Sequence, residues 1–227
     1  MKEMSFLKSN LIAHRGIFDN KTIYENTLKA FEIAIEKKYI IELDVHMLKD
    51  DIVIVYHDDD MGRLLNVDSK IKDLTYGDIK YFAKFEIPTL KEVLELVDGR
   101  VPIIIELKGN TKKYKLEREV LAFLMTYDGE VAIQSFNEKT VKWFYKNATE
   151  IPVGLLANKT DFRREYFFKK YDFLNVKLDV YDDKKIREMR EKKMILGYGV
   201  KDLITLNAKK DVYDNLVCDN LLEIDKD

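Results

Sequence analysis

The chain has 227 residues, of which 46% are hydrophobic and 35% charged, a composition that indicates a globular protein with a core and excludes a disordered or fibrous chain. Thirty-nine Lys and Arg against 41 Asp and Glu leave a formal net charge of −2, so no overall positive field attracts nucleic acid or anionic lipid. No segment approaches the roughly 20 apolar residues of a membrane helix, and the N-terminus lacks the apolar stretch of a signal peptide, so the expected compartment is the cytoplasm.

Short apolar runs alternate with longer amphipathic stretches along the chain, which is typical of repeated strand–helix units. In chain order, the predicted strands are Leu11–Ala13, Ile40–Asp44, Val101–Glu106, Val131–Gln134, Val153–Leu156, Phe173–Val176, Met194–Gly197 and Asn215–Cys218. The predicted helices are Thr27–Lys37, Leu90–Val97, Leu116–Met125, Glu138–Lys146, Phe162–Lys169, Lys184–Glu191 and Leu203–Lys209. A last helix would have to come from Leu221–Asp227, so we expect it to be short or missing.

Eight strands with helices between them and no Gly/Ser/Pro-rich linker predict one α/β domain over residues 1–227, a (β/α)8 barrel. The alternative is an open doubly wound sheet, but no glycine-rich phosphate loop follows the first strand. One region breaks the alternation. Asp50–His57 predicts a turn and an extra strand that pairs back on Ile40–Asp44, and Ser69–Phe85 predicts a loop with a short helix. We therefore expect an insertion at about 45–88, on the face where barrel active sites lie.

Acidic side chains follow the apolar part of two predicted strands. Because strand side chains alternate, Glu42 and Asp44 share one face of their strand, and Glu106 and Lys108 share one face of theirs. Carboxylates on a strand buried on both sides are costly without a partner, so their convergence indicates a bound cation. All-oxygen ligands favour Mg²⁺ or Ca²⁺ over zinc or copper. The alternative is a set of rim ion pairs with nearby Lys or Arg.

Two of the three histidines also fall where barrel sites are built. His14 ends the first predicted strand and His57 ends the inserted one. Two imidazoles are suited to be the general base and general acid of a phosphoryl displacement. Arg15 and Lys108 are candidates for holding phosphate oxygens. His46 lies past the predicted end of its strand, so we expect a surface or loop histidine there.

Six stretches, taken in order, resemble the glycerophosphodiester phosphodiesterase family. They are LIAHRG, YENTLKAFEIAI, IELDVHMLKDDIVIVYHDDDMGRLL, IPTLKEVLELV, VPIIIELKG and AIQSF. The likeness is continuous from about Leu11 to Lys108 and patchier from Gln134 onward, and the ordered set is far more specific than any one piece. The resemblance implies a TIM barrel that hydrolyses small glycerophosphodiesters to glycerol 3-phosphate and an alcohol.

The resemblance also implies roles for residues at matching positions. They are a catalytic pair (His14, His57), ligands of one divalent cation (Glu42, Asp44, Glu106), phosphate contacts (Arg15, Lys108) and supporting residues (Glu25, Gln134). The implied cation is Mg²⁺ or Ca²⁺, with Mn²⁺ as a further option. The nucleophile, which is water or the substrate's own adjacent hydroxyl, is left open, as is homo-oligomerisation.

The chain departs from the family pattern in two places. Leu48-Lys49-Asp50-Asp51 stands where the family has Thr-Lys/Arg-Asp-Gly, which removes a turn glycine. Tyr198-Gly199-Val200-Lys201 stands where the family has Trp-Thr-Val-Asn, so Tyr198 is a candidate aromatic wall for the substrate. Phe136 is a second candidate, and for both aromatics core packing is the slightly favoured alternative.

Two other functions stay open. A related barrel acting on lysophospholipids, as a lysophospholipase D does, would need an apolar, Trp-rich rim, whereas the single tryptophan, Trp143, lies on a predicted outer helix. A non-catalytic barrel that only binds a phosphodiester would be expected to lack at least one of the histidines or carboxylates. All of them are present.

Overall fold

The computed structural model describes residues 2–109, 112–158, 170–219 and 221–224. The strands in these ranges are β1 (Ile12–His14), β2 (Ile40–Met47), β3 (Val53–Val55), β4 (Ile103–Leu107), β5 (Val131–Ser135), β6 (Val153–Ala157), β7 (Phe173–Lys177), β8 (Met194–Val200) and β9 (Asn215–Cys218). The α-helices are α1 (Leu28–Glu36), α2 (Gly62–Leu65), α3 (Tyr76–Phe82), α4 (Leu90–Val97), α5 (Lys115–Leu124), α6 (Glu138–Asn147), α7 (Asp183–Arg190), α8 (Leu203–Lys209) and α9 (Leu221–Ile224). The predicted helix Phe162–Lys169 lies outside the described residues.

Eight strands form a closed parallel barrel. They follow the order β1-β2-β4-β5-β6-β7-β8-β9, and β1 pairs with both β2 and β9. The predicted barrel is therefore confirmed and the open doubly wound sheet is wrong. Short 3-10 helices add to it at Ser5–Lys8, Ile71–Asp73 and Lys112–Tyr114. The closing helix α9 has four residues, in keeping with the short last helix that the sequence predicts.

The alternation of side chains divides the core into two parts. One face of the strands points into the barrel, where Ile12, Ile40 and Ile104 pack with Phe6 and Leu7 of the N-terminal 3-10 helix. The opposite face, with residues such as Ile41 and Leu43, packs against the surrounding helices. Apolar side chains therefore fill the amino-terminal part of the barrel, and the inward positions two residues further along the strands are left for polar groups.

Local capping fixes where the helices begin. The Thr27 hydroxyl accepts from the backbone N–H of Ala30 at the start of α1. Helix α4 begins with a capping box in which Thr89 and Glu92 each accept from the other's backbone N–H. Such caps satisfy donors that a helix leaves free at its N-terminus. The helices predicted within the described residues consequently match the observed ones to within one residue at each end.

The insertion differs from the prediction in its pairing. β2 continues to Met47, and β3 pairs antiparallel with this extension, Val45 opposite Val55 and Met47 opposite Val53. The inserted segment thus pairs back on β2 as expected, but within the predicted range it reaches only Asp44, whose oxygen accepts from the Tyr56 N–H at 2.9 Å. The rest of the range is not available, because β1 pairs with residues 40–42 and β4 with residues 41–45. At the hairpin turn Asp51 has φ +70°, in the left-handed region that favours glycine.

The rest of the insertion has its own small core. Leu48, Ile54, Met61, Leu65 and Ile79 belong to a buried cluster separate from the two barrel clusters. Helix α3 is the short helix that the sequence predicts, whereas α2 was not predicted.

The single-domain organisation over residues 1–227 stays a prediction. Among the described residues, no helix has the length and apolarity to cross a membrane.

Candidate functional site

Three buried carboxylates meet at the carboxyl-terminal end of the barrel. Glu42 and Asp44 lie on β2 and Glu106 on β4, with Asp44 directly opposite Glu106 in the strand register. One oxygen from each of the three lies within 4.8 Å of the other two. The expectation that these side chains converge, drawn from strand alternation, is confirmed as geometry.

Lys108 supplies part of the counter-charge. Its Nζ lies 2.6 Å from Glu106 Oε1 and 3.0 Å from Asp44 Oδ1. Burial would raise the pKa of Asp44, but the charges of Lys108 and Arg15 outweigh it and hold that pKa well below its usual range. Burial, with the charge of Asp44, raises the pKa of Glu42 to about 7 and that of Glu106 to about 8.

The donor set therefore fits a divalent cation. The alternative of ion pairs is realised in part, by Lys108, but these carboxylates are buried and do not lie on an exposed rim. Two cationic side chains, Lys108 and Arg15, contact this cluster of three carboxylates, so the ionised cluster keeps a deficit of positive charge. Three convergent carboxylates match the all-oxygen preference of Mg²⁺ or Ca²⁺. These residues would hold the cation.

His14 extends from β1 toward this cluster. Its Nδ1 lies 2.5 Å from Asp219 Oδ1, and its Nε2 lies 3.9 Å from Glu42 Oε2. Burial disfavours the imidazolium, but the hydrogen bond to Asp219 and the charge of Glu42 prevail and raise the pKa of His14. Asp219 was not predicted. Strand alternation puts it on the same face as Val217, which the structure directs into the barrel, but nothing in the adjacent sequence identifies His14 as its partner.

His57 lies two residues beyond β3, and a chain of charged groups holds it. Its Nδ1 is 2.6 Å from Asp58 Oδ1, and the other oxygen of Asp58 accepts from Arg63 Nε at 2.7 Å. Arg63, on α2, also donates two hydrogen bonds to Glu25, at 2.6 and 3.0 Å. Burial lowers the pKa of His57. Asp58 and Arg63 were not predicted, since the sequence gives no sign of α2.

The Arg15 guanidinium lies between the carboxyl groups of Glu25 and Asp44. Its NH1 donates to Glu25 at 2.7 Å, and its Nε lies 3.4 Å from Asp44 Oδ2. The residue has φ +58°, which turns the chain sharply after β1 and directs the guanidinium back over the cluster. Glu25 thus holds the Arg15 guanidinium next to the carboxylates, and its supporting role in the reaction stays a prediction.

A second polar chain crosses the barrel interior. Gln134 Nε2 donates to Glu42 Oε1 at 2.9 Å, and Asn175 Nδ2 donates to Gln134 Oε1 at 3.0 Å. Both amides are buried. Gln134 therefore contacts the carboxylate cluster, in line with its predicted supporting place, while Asn175 was missed by sequence reasoning.

His46 corrects one expectation. It belongs to the extended part of β2 and is only 6% exposed, so the predicted surface or loop histidine is wrong. The extension exists because β3 pairs with it. His46 Nε2 lies 3.2 Å from the backbone oxygen of His57, which places it behind the second histidine.

The two candidate aromatic residues lie at the ends of β5 and β8. The rings of Phe136 and Tyr198 meet edge to face with 6.3 Å between centroids. Phe136 is 44% exposed, so core packing does not account for it. Tyr198 packs against the inner cluster and its hydroxyl reaches the oxygen of Ala157 at 3.4 Å, so core packing accounts for part of this side chain.

Comparison with known proteins identifies relatives of this barrel. Residues 14–203 match the model of the glycerophosphoryl diester phosphodiesterase family. A glycerophosphodiester phosphodiesterase of Caldanaerobacter subterraneus is 36% identical over 165 residues, which is 66% of this chain and 67% of that protein. The matched segments thus span about two thirds of each.

Solved structures show the same fold over nearly the whole chain. A glycerophosphodiester phosphodiesterase from Thermotoga maritima is 28% identical, with a TM-score of 0.79 over 93% of this chain and 95% of that one. An Oleispira antarctica phosphodiesterase, solved in complex with the product sn-glycerol-3-phosphate, is 19% identical, with a TM-score of 0.83 over 96% and 95%.

Proposed function

Because this chain belongs to the glycerophosphoryl diester phosphodiesterase family of enzymes, we propose that it hydrolyses glycerophosphodiesters to glycerol 3-phosphate and an alcohol, with one divalent cation bound. The observation that carries this proposal is that His14 lies 3.9 Å from Glu42, one of three buried carboxylates that converge at the end of the barrel where such active sites lie. The product bound to the Oleispira antarctica structure agrees with the proposed chemistry.

In the proposed site, Glu42, Asp44 and Glu106 hold the cation, Mg²⁺ or Ca²⁺, with Mn²⁺ as a further option. When bound, the cation acts as a Lewis acid that offsets negative charge on the phosphate. Gln134 holds Glu42 by a hydrogen bond to Oε1, which limits the orientations that this carboxylate can adopt.

The positive side chains attract and orient the phosphodiester. Lys108 and Arg15 place two cations against the carboxylate cluster, both partly buried. An arginine fork contacts two phosphate oxygens at once, whereas the lysine acts as a point charge. Phe136 and Tyr198 flank the mouth of the barrel, and we propose that they form a wall against the non-phosphate parts of the substrate.

The histidines move the protons. Each has its Nδ1 next to a carboxylate, so its Nε2 is the atom that exchanges a proton with the substrate. One Nε2 removes a proton from the nucleophile, and the other delivers a proton to the leaving alcohol oxygen. The same two transfers serve attack by water and attack by an adjacent substrate hydroxyl, because in the two-step route the histidines exchange roles.

The test is a substrate panel. Purified protein is given glycerophosphocholine, glycerophosphoethanolamine, glycerophosphoglycerol and lysophosphatidylcholine, each with Mg²⁺, Ca²⁺ or Mn²⁺, and substrate binding and the release of glycerol 3-phosphate and choline are measured. We expect it to appear from the water-soluble diesters and EDTA to stop its release. Release of choline from lysophosphatidylcholine alone would favour the lysophospholipase D alternative. Substrate binding with no product under any metal would favour the non-catalytic barrel.

A further inference from the structure

The carboxylate of Asp219 lies against one of the two histidines. Asp219 follows β9, and its Oδ1 is 2.5 Å from His14 Nδ1. The neighbouring register pairs Ile12 with Val217 and Ala13 with Cys218, so the next positions on these parallel strands are His14 and Asp219. Adjacent parallel strands direct such neighbours to the same side, which here is the barrel interior.

The hydrogen bonds around His14 select one tautomer. An ionised carboxylate only accepts, so Nδ1 must carry the hydrogen toward Asp219. On the other side of the ring, Arg15 Nε lies 3.3 Å from His14 Nε2. A guanidinium only donates, so Nε2 must present its lone pair. Two independent contacts therefore give the same arrangement, in which Nε2 carries a lone pair on the site side and can take up a proton once the Arg15 N–H turns to Asp44 Oδ2, 3.4 Å away.

The side chain of Asp219 pairs directly with this histidine. Across the described parts of the chain, its one ion pair is with His14. Its backbone N–H donates to the Val200 oxygen at 2.7 Å. Its side chain is 25% exposed, so it is not a carboxylate buried only for packing.

We infer that Asp219 is a positioning residue that fixes His14 in the Nδ1–H tautomer and stabilises the imidazolium formed in each turnover. It does so without touching the substrate. A carboxylate that orients a catalytic histidine in this way holds the ring and favours its charged form. The inference rests on the proposed function, because it assigns Asp219 to the reaction only through His14.

The alternative is that Asp219 merely ties β9 to β1 and closes the barrel. Asp214 offers a matched control, because it precedes the other end of β9 and pairs with Lys8 at 2.7 Å and with Arg190 at 3.4 Å. Its loss removes a carboxylate that ties the start of β9 to Lys8, to Arg190 and to the backbone N–H of Ile195 on β8, at the end of the strand away from the histidines. Asp214→Asn should lower the melting temperature while kcat is retained.

The decisive experiment is a double-mutant cycle with the Mg²⁺-loaded protein. Asp219→Leu, which keeps the branched γ carbon but cannot accept a hydrogen bond, should lower kcat on the order of 10²-fold with little change in KM. Asp219→Asn should recover part of this, because its amide oxygen can still accept from Nδ1. In a His14→Ala background, Asp219→Leu should cost no further activity, since groups that act as a unit are not additive.

A second readout does not depend on activity. The ¹⁵N spectrum of the histidines, with His14 assigned by comparison with His14→Ala, should show neutral His14 protonated at Nδ1, and Asp219→Leu should shift it toward the Nε2–H form. Unchanged kcat in Asp219→Leu, or equal losses with and without His14, would overturn the inference. If the wild-type protein releases no glycerol 3-phosphate, the proposed function fails, and the spectrum still tests the tautomer.

Discussion

His14 and His57 are both held at Nδ1 by a carboxylate, but the two carboxylates are themselves held differently. Asp58 is the next residue after His57, whereas Asp219 is 205 residues away from His14. Asp58 is also bound to Arg63 through its second oxygen, whereas Asp219 has no such cation in the described residues. Asp58 is therefore fixed in its orientation, whereas Asp219 is free to turn. The same substitution of Asp by Asn should consequently lower kcat by different amounts at the two positions.

The largest expected effect is the loss of either ring. His14→Ala and His57→Ala should each lower kcat by roughly 10²- to 10⁴-fold, the range of one acid–base group. The two losses should be comparable, because each turnover needs one proton taken and one proton given. Steady-state kinetics measures the effect, and the Mg²⁺-induced shift in melting temperature checks that the carboxylate cluster still binds its cation. A variant that keeps wild-type turnover would remove that histidine from the scheme.

The next effect distinguishes the locked carboxylate from the free one. In Asp58→Asn the amide oxygen should remain on Arg63, which only donates, so the amide NH2 faces His57 and disfavours the Nδ1–H tautomer. We expect a loss in kcat on the order of 10²-fold, larger than for Asp219→Asn. Adding Arg63→Met should restore part of the activity, because the amide oxygen can then turn to His57.

The control for this comparison is Asp59→Asn, an exposed neighbour in the same loop that should leave kcat unchanged. Arg63→Met alone should lower kcat on the order of tenfold, the effect of losing the charge-assisted hydrogen bond that orients Asp58; its two hydrogen bonds to Glu25 are lost as well. If Arg63→Met makes Asp58→Asn worse, then Arg63 does not set the orientation of the side chain at position 58.

The smallest effect concerns stability in acid. Burial would raise the pKa of Glu25, but the hydrogen bonds from Arg63 and the charge of Arg15 lower it to about 2. The charged form is therefore favoured by folding. The contribution of ionised Glu25 to the stability of the fold is fully present above its unfolded pKa of about 4.5, and it is lost as the pH falls toward 2. Glu25→Gln should flatten the fall in melting temperature between these two pH values.

Glu32→Gln is the matched control for this measurement. Glu32 is a carboxylate on the exposed side of α1, where it pairs with Lys29 at 3.0 Å. Exposed pairs of this kind contribute little to the stability of the fold. The fall in melting temperature at acid pH should therefore be the same in Glu32→Gln as in the wild-type protein. An equal flattening in both variants would show that Glu25 has no special place in the network.

Strand periodicity made much of the site predictable. Because side chains two apart share a face, Glu42 with Asp44 and Glu106 with Lys108 could be grouped before any fold was known, and the barrel brings all four together. The limits of the predicted helices were equally local, since caps such as Thr27 and Thr89 are written in the adjacent sequence.

The residues that sequence reasoning missed or misplaced all depend on contacts with another segment of the chain. Arg63 lies on α2, a four-residue helix too short to have a period, and its role depends on the insertion folding back over Glu25. His46 was placed wrongly because a strand's length depends on which partner pairs with it, and β3 extends β2 by that pairing. Asn175 has no motif around it, and only the barrel interior brings it to Gln134.

The amino-acid sequence by itself determined the alternating strand–helix units, the carboxylate faces, the two histidines and the family to which the chain belongs. These follow from local periodicity and from ordered motifs, which are properties of neighbouring residues. Only the tertiary structure decided which groups meet across the barrel, above all Asp219 with His14. Barrel closure joins β9 to β1, and no local pattern specifies a contact between residues 205 positions apart.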